Sequence, residues 1–344
     1  MDCASFVFPA VRGVQATREY YISMVPLEVI PRIFQFSAEE LPPEVRAQRT
    51  LNKARIPEMC SYIVDNPESY IFSSLTVSVD GDMCFEPLGW DNPHIGYIRI
   101  PMNSRFLIND GQHRQAAIAE AIKKRPELKN EHISVVFFRD QGLAQAQQMF
   151  SDLNRYAIRP TKSINILFSS REEPSIIAKK VIENVDIFRG RIEKERTTIS
   201  NRSKALFTLS AVCTATEALL RDMSLDTQAK TDLATKFWSQ VESHMPIWTA
   251  LKAGNLKPSD IRQEYICSLS VVLVAIGAGG NALIKSFPNN WESILARLGT
   301  VDWSKSNPIW RDLIFVNGRV AANRSTQKAI SDYFINLLTK NEDE

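Results

Sequence analysis

The chain is poor in cysteine, has no excess of one charge and lacks a long apolar run, and each shortage narrows its function. Its five cysteines, Cys3, Cys60, Cys84, Cys213 and Cys267, are odd in number and widely scattered. None forms a CxxC pair or stands at ligand spacing from a histidine, so neither a disulfide framework nor a zinc site is indicated, and a reducing cytoplasm is the expected setting. Lys and Arg total 41 against 39 Asp and Glu, a net charge of +2. That excludes a globally basic nucleic-acid coat while leaving local basic patches open. Residues 1–12 carry Asp2 and Pro9 and have no basic start before an apolar run, so no secretory leader is expected. Residues 265–284 contain no charge, yet Ser268, Ser270, Gly277, Gly279, Gly280 and Asn281 interrupt them, and the continuous apolar run is 271–276 alone. The stretch reads as a buried core helix capped at its C-terminus by the 277–280 glycines, and no membrane is expected as a partner.

With 344 residues, 44% hydrophobic and 23% charged, the chain is globular and long enough for two domains. Strand signals fall at 74–79, running into the Asp80-Gly81 turn pair with 83–85 as a return strand, and at 95–100, 105–108 and 133–138. Helical spacing appears at 113–124. A helix or helix pair is expected over 44–64, broken near Pro57, with Arg46, Arg49, Lys53 and Arg55 on its polar side. Beyond about residue 142 the strand signal fades. Helices are expected at 143–153, 162–168 (capped by Thr161), 175–184 (behind a Ser170/Glu173 capping box), 203–223, 227–244, 259–276, 291–298 and 325–338. The expected fold is α+β, with an α/β domain over 1–141 and a helical domain over 142–344.

The sharpest feature is Phe106-Leu107-Ile108-Asn109-Asp110-Gly111-Gln112-His113-Arg114, a strand passing through glycine straight into a helix. The unspent N–H groups of a helix's first turn, together with its dipole, favour an anion there. Gly111 permits close backbone approach. Arg114 can clamp a phosphate, His113 can donate or transfer a proton, and Asp110 can cap the helix, hold a metal or position water. The plainer alternative is a simple Asp110 N-cap with Arg114 as a solvated helix residue. No GxxxxGK[ST] occurs, and Gly277-Ala278-Gly279-Gly280 follows a helix rather than a strand, so neither a P-loop nor a dinucleotide loop is present.

A second candidate surface is basic. Arg189, Arg191, Lys194, Arg196, Arg202 and Lys204 are offset only by Glu193 and Glu195, and interspersed Thr, Ser and Asn residues suit phosphate oxygens. The stretch is read as the DNA-contact segment, ending at a helix N-terminus; a solvated loop with local ion pairs is the plainer reading. Residues 317–324 form a second basic candidate.

Asp110-Gly111-Gln112-His113-Arg114 resembles the signature of the DGQHR-domain family, the DndB-like proteins of bacterial DNA phosphorothioation systems. Phe150-Ser151-Asp152-Leu153-Asn154-Arg155 with Pro160-Thr161-Lys162-Ser163, Asn201-Arg202-Ser203-Lys204-Ala205-Leu206-Phe207-Thr208, and Trp303 with Asn317-Gly318-Arg319 extend the resemblance over nearly the whole chain. The resemblance implies a ParB/sulfiredoxin-like N-terminal part and a transcriptional repressor of the sulfur-modification genes, with ATP hydrolysis coupled to DNA release. It implies that Gly111, Gln112, His113 and Arg114 cradle the triphosphate, with Asp110 on its Mg2+ or on the attacking water. Asn52 and Arg55 would add a phosphate contact, and Asp152, Asn154 and Arg155 would complete the site. Expected partners are promoter DNA, ATP, other sulfur-modification proteins and a second copy of the chain. A ParB-like nuclease with a metal held by Asp110 and His113, or a scaffold that binds neither ligand, are the alternatives.

Overall fold

The structure, a computed structural model, describes residues 4–34, 53–140, 142–155, 160–316, 319–320 and 323–340. The fold is α+β. The chain divides into two compact units, Met1–Ile158 and Arg159–Glu344, later than the expected division at 141/142. The reason is local: α4 (Leu143–Arg155), read as the start of the helical part, packs on strand β6 (Arg105–Asp110) of the first unit.

The first unit is built on a seven-stranded sheet of order β4-β5-β1-β2-β7-β3-β6. Its strands are β1 (Ser5–Gln15), β2 (Arg18–Pro26), β3 (Leu75–Asp80), β4 (Cys84–Pro87), β5 (Ile95–Pro101), β6 and β7 (His132–Arg139). All neighbours are antiparallel except β3 and β7. One face buries Phe8, Val25, Val77, Ile98, Val135 and Phe137. Against this face pack α2 (Arg55–Asp65), through Cys60 and Ile63, and α3 (Gln112–Lys124), through Ala117, Ile118 and Ala121. A four-residue helix, α1 (Ile30–Ile33), adds Ile30 and Ile33 to the same core.

The expected 74–79/83–85 hairpin does not form. Leu75, Val77 and Val79 are fully buried, so β3 takes partners on both sides, β7 and β6. The short β4, with Cys84 and Glu86 exposed, pairs instead with β5 and serves as an edge. The β1–β2 hairpin carried no sequence signal. Its two-residue turn is Ala16-Thr17, with φ of 50° and 66°, between the paired Gln15 and Arg18. Positive φ at both central positions is the type I′ requirement, ordinarily met by Asn-Gly. Of the expected 44–64 helix, residues 44–52 lie outside the described residues, and α2 begins at Arg55.

The second unit is helical: α5 (Lys162–Phe168), α6 (Glu173–Asn184), α7 (Leu209–Leu220), α8 (Thr227–His244), α9 (Pro246–Lys252), α10 (Pro258–Glu264), α11 (Ser270–Ser286), α12 (Trp291–Ile294), α13 (Pro308–Leu313) and α14 (Arg324–Thr339). Two-residue strands β8 (Ile192–Glu193) and β9 (Phe207–Thr208) pair in parallel, and β10 (Phe315–Val316) pairs with β11 (Arg319–Val320). Phe188, Phe207, Trp238 and Trp248 meet edge to face in its core. Thr161 caps α5 as expected, accepting from the Ile164 N–H at 3.2 Å. The Ser170/Glu173 capping box is absent; Glu172 is the N-cap of α6, and its N–H donates to Ser169 Oγ at 3.3 Å. The helix expected from 203 starts at Leu209, where Thr208 Oγ1 accepts from the Ala211 N–H.

The largest departure concerns Gly277–Gly280. These glycines do not end a helix; α11 runs through them to Ser286. A Cβ at Gly277 would stand 2.1 Å from the Ala215 carbonyl oxygen, and one at Gly280 would stand 2.3 Å from the Phe237 ring. The glycines let α11 lie directly against the backbone of α7, which offsets glycine's weak helix propensity. Among the described residues no helix is long and apolar enough to cross a membrane.

The strained β1–β2 turn gives a stability prediction. The double change Ala16→Asn with Thr17→Gly relieves the left-handed strain and raises unfolding free energy by about 1 kcal/mol. Urea denaturation checks this, and a lowered midpoint would contradict the turn assignment.

Candidate functional site

The site is built where β6 leaves the sheet. Thr76 faces Asp110 while Val77 faces Ile108, so Asn109 is the extra residue of a β-bulge. Its buried side chain donates from Nδ2 to Ser78 Oγ at 2.7 Å and lies 3.1 Å from Met149 Sδ on α4. That anchor fixes the direction in which the strand exits. Gly111 follows with φ of +102° and is the N-cap of α3, whose first backbone bond runs from the Gln115 N–H to the Gly111 carbonyl at 2.9 Å. The first turn of α3 therefore opens at the corner, where the helix's own ladder has not yet begun.

Gly111 is required twice over. Its φ lies in the left-handed region, and a Cβ there would stand 2.4 Å from Leu75 Cδ2, 3.0 Å from Arg114 Nη2 and 3.1 Å from Arg114 Nε. The bare backbone thus has an apolar floor, Leu75, and a guanidinium laid beside it. Arg114 is held there from two sides: Nη2 pairs with Asp110 Oδ2 at 2.6 Å, and Nη1 donates to Ser73 Oγ. The Arg114 side chain is 14% exposed and that of Asp110 47%. Asp110 does not cap α3, since its carboxylate reaches forward to Arg114 instead.

His113, one residue before Arg114, is half-buried. Burial holds its pKa below the ordinary 6.5, and the positive charge of Arg55 lowers it further. Arg55, exposed at the first turn of α2, therefore lies close enough to act on the corner. The corner thus gathers Asp110, Gly111, Gln112, His113, Arg114 and Arg55. Asn52 lies outside the described residues, as does the side chain of Asn154. Asp152 is exposed on α4, where Gln148 Nε2 donates to it at 2.7 Å, while α4 meets the corner's strand through Met149, whose Sδ lies against Asn109. Ser73, Leu75 and Asn109 shape the corner; the sequence pointed to the corner only through Asn109, inside the motif, and marked Leu75 as a strand residue alone.

A single half-exposed carboxylate suits Mg2+ when nucleotide phosphates supply much of the remaining coordination. Asp110 fits a nucleotide-borne ion in that sense. Among the described residues no group of three or more His, Cys, Asp or Glu gathers as a metal cage.

The six basic candidates of the second unit fall into two sets. Arg189 pairs with Asp186 at 2.9 Å and donates to the Glu183 carbonyl, and Arg191 donates to the carbonyls of Asp186 and Arg189. These two brace the chain locally. Lys194, Arg196, Arg202 and Lys204 are exposed, and among the described residues none takes an ion pair. Glu193 and Glu195 do not neutralise Lys194 and Arg196: Glu193 Oε1 instead accepts the backbone N–H groups of Glu195 and Arg196. The helix N-terminus expected beside the loop is displaced to Leu209 behind β9. Of the C-terminal candidate, residues 317–318 and 321–322 lie outside the described residues.

The pattern that defines the DndB family, described as DNA-sulfur modification-associated, matches residues 8–340. The chain belongs to the DndB family. This places it with proteins associated with DNA sulfur modification, and the matched span includes residues 110–114. Neither a curated protein nor a solved structure matches the chain.

The His113 environment predicts a pH response. The folded imidazole holds its proton less readily than the unfolded one, so its contribution to stability is full above pH 6.5 and is lost as pH falls below that value. In proton NMR, Arg55→Ala moves the His113 titration upward towards 6.5, because it removes the neighbouring positive charge while burial remains. An unchanged midpoint would separate Arg55 from the corner.

Proposed function

We propose that this DndB-family protein is a DNA-binding transcriptional repressor of a sulfur-modification gene cluster, and that ATP bound at the Gly111 corner sets its DNA affinity. The observation that carries the ATP half is the guanidinium of Arg114 lying beside a bare, left-handed glycine at the start of a helix. Helix amides and a positioned arginine are what phosphate oxygens require. The apolar floor at Leu75 lowers the local dielectric and strengthens both.

The Asp110–Arg114 pair gives the corner two arrangements. As it stands, Asp110 occupies the guanidinium that a phosphate would take. An incoming phosphate competes for Nη2, while Ser73 keeps hold of Nη1 and so keeps the group in place. Asp110, once displaced, is free to orient a water or to reach the nucleotide's Mg2+. His113, neutral at pH 7, accepts a hydrogen bond or a proton, and anionic oxygens beside it would draw its pKa back up. Magnesium, when bound, supplies charge neutralisation for the phosphates.

The DNA half is supported by Lys194, Arg196, Arg202 and Lys204 and by the family's association with DNA sulfur modification. With a net charge of only +2, binding must come from a patch and fall steeply with salt. Nucleotide binding that favours one conformer shifts DNA affinity by the coupling free energy, typically ~1–3 kcal/mol, or about 5–150-fold. A repressor reading a palindromic operator acts as a dimer.

A promoter gel shift across ATP concentrations tests the reading. Wild-type protein should change its apparent DNA affinity by about tenfold on adding ATP. Arg114→Ala should bind DNA as well as wild type without ATP and lose that response. An Arg114→Ala protein whose ATP turnover and whose ATP sensitivity of DNA binding both match wild type would sink the proposal.

A further inference from the structure

The exposed basic loop has a feature that the charge pattern did not reveal. Its base is closed by the β8–β9 pair, with Leu206 and Phe207 both donating to the Arg191 carbonyl at 2.7 and 3.2 Å. Inside that closure one side chain from α10 collects the loop's carbonyls. Arg262 Nη2 donates to the carbonyl oxygens of Ser200 at 3.2 Å, Asn201 at 2.9 Å and Ser203 at 3.1 Å, and Nη1 donates to that of Ala205. Its Nε is buried with no partner among the described residues. The support is itself braced: Lys305 Nζ donates to the Arg262 carbonyl at 2.7 Å, and the Lys305 N–H donates to the Glu264 carbonyl at 2.8 Å.

We infer that Arg262 is the positioning residue of the DNA-contacting loop, fixing its shape for the phosphate backbone without itself being one of the exposed contacts. This rests on the reading of Lys194, Arg196, Arg202 and Lys204 as the DNA surface. Carbonyl oxygens carry the negative ends of the peptide dipoles and repel phosphate. Four of them are turned onto Arg262, while Arg202 and Lys204, within the same stretch, are exposed. The guanidinium also places a positive charge behind the loop. A loop already ordered in the free protein avoids the entropy loss of ordering on binding, which raises affinity without adding a contact. The partner is a double-stranded DNA backbone, recognised by charge and hydrogen bonding rather than by base sequence.

The test is a double-mutant cycle on the full chain, with a fluorescently labelled duplex of mixed sequence as the probe and affinity measured over a potassium chloride series. Its arms are Arg262→Gln, Arg262→Lys, and the fourfold variant Lys194→Ala, Arg196→Ala, Arg202→Ala and Lys204→Ala, alone and combined with each of the two Arg262 changes. Arg262→Gln should weaken binding by about tenfold and flatten the salt dependence by more than the about 0.9 that one lost phosphate contact would give. Arg262→Lys should recover part of the loss, since an ammonium still donates three hydrogen bonds. In the fourfold background Arg262→Gln should change affinity less than about twofold, because the cations it positions are gone. Wild-type affinity in Arg262→Gln, or the same loss in both backgrounds, would overturn the inference. Should Arg262→Gln fail to fold, Arg262→Lys carries the comparison, and a full tenfold loss common to both backgrounds overturns the inference equally. If the fourfold variant binds DNA as wild type does, the loop is not the DNA surface, and the functional reading falls together with this one. If the fourfold variant is weakened and Arg262→Gln is not, only the present inference falls.

Discussion

A strand that must become a helix within one residue, over a buried leucine, leaves the chain a single solution at position 111. With φ of +102° and Leu75 directly beneath, any side chain would be strained in its backbone and blocked in space. The rest of the corner follows from that constraint. The space that the absent Cβ leaves admits the Arg114 guanidinium, and the bulge at Asn109, held by Ser78 and Met149, aims the strand at it. Asp110 and Ser73 then hold the guanidinium on either side. Charge, backbone donors and an apolar floor meet at one point, without a P-loop.

The second unit reaches a comparable surface by different means. Its basic segment has no helix N-terminus beside it, because α7 begins only at Leu209. Backbone polarity is managed instead by a side chain, with Arg262 drawing carbonyls inward while the cations stay exposed. In both places backbone carbonyl oxygens are turned away from where an anion would come, by the helix ladder in one and by a guanidinium in the other. On the proposed reading, a chain of nearly neutral overall charge needs such local devices to hold DNA, since its long-range attraction to DNA is weak.

The legible parts were those where local chemistry and final structure agree. The 106–114 run announced a strand, a glycine corner and a helix, and Thr161 announced its cap, because each depends on neighbours a few residues away. Arg55 could be tied to the corner only loosely from sequence; its positive charge adds to burial in holding the His113 pKa down. What stayed hidden depends on distant partners. Ala16-Thr17 turns a hairpin with none of the usual turn residues, because the paired strands impose it. Gly277 and Gly280 resemble a helix stop locally and prove to be contact points for Ala215 and Phe237. Ser73 acts through its hydroxyl on Arg114, and Arg262 through carbonyls about sixty residues away, pairings that composition and spacing do not encode. α4 was assigned to the helical part because its partner, β6, has no imprint on the helix's own pattern.

The claim on which the account rests is that phosphate oxygens settle at the Gly111 corner. Titrating magnesium ATP into isotopically labelled protein and following the backbone amides by NMR tests it most directly. The account predicts that the amides of Gly111, Gln112, His113 and Arg114 shift first and furthest, with inorganic triphosphate reproducing their direction. Shifts that leave these four amides in place while ATP binds elsewhere, or no binding at all, would contradict it.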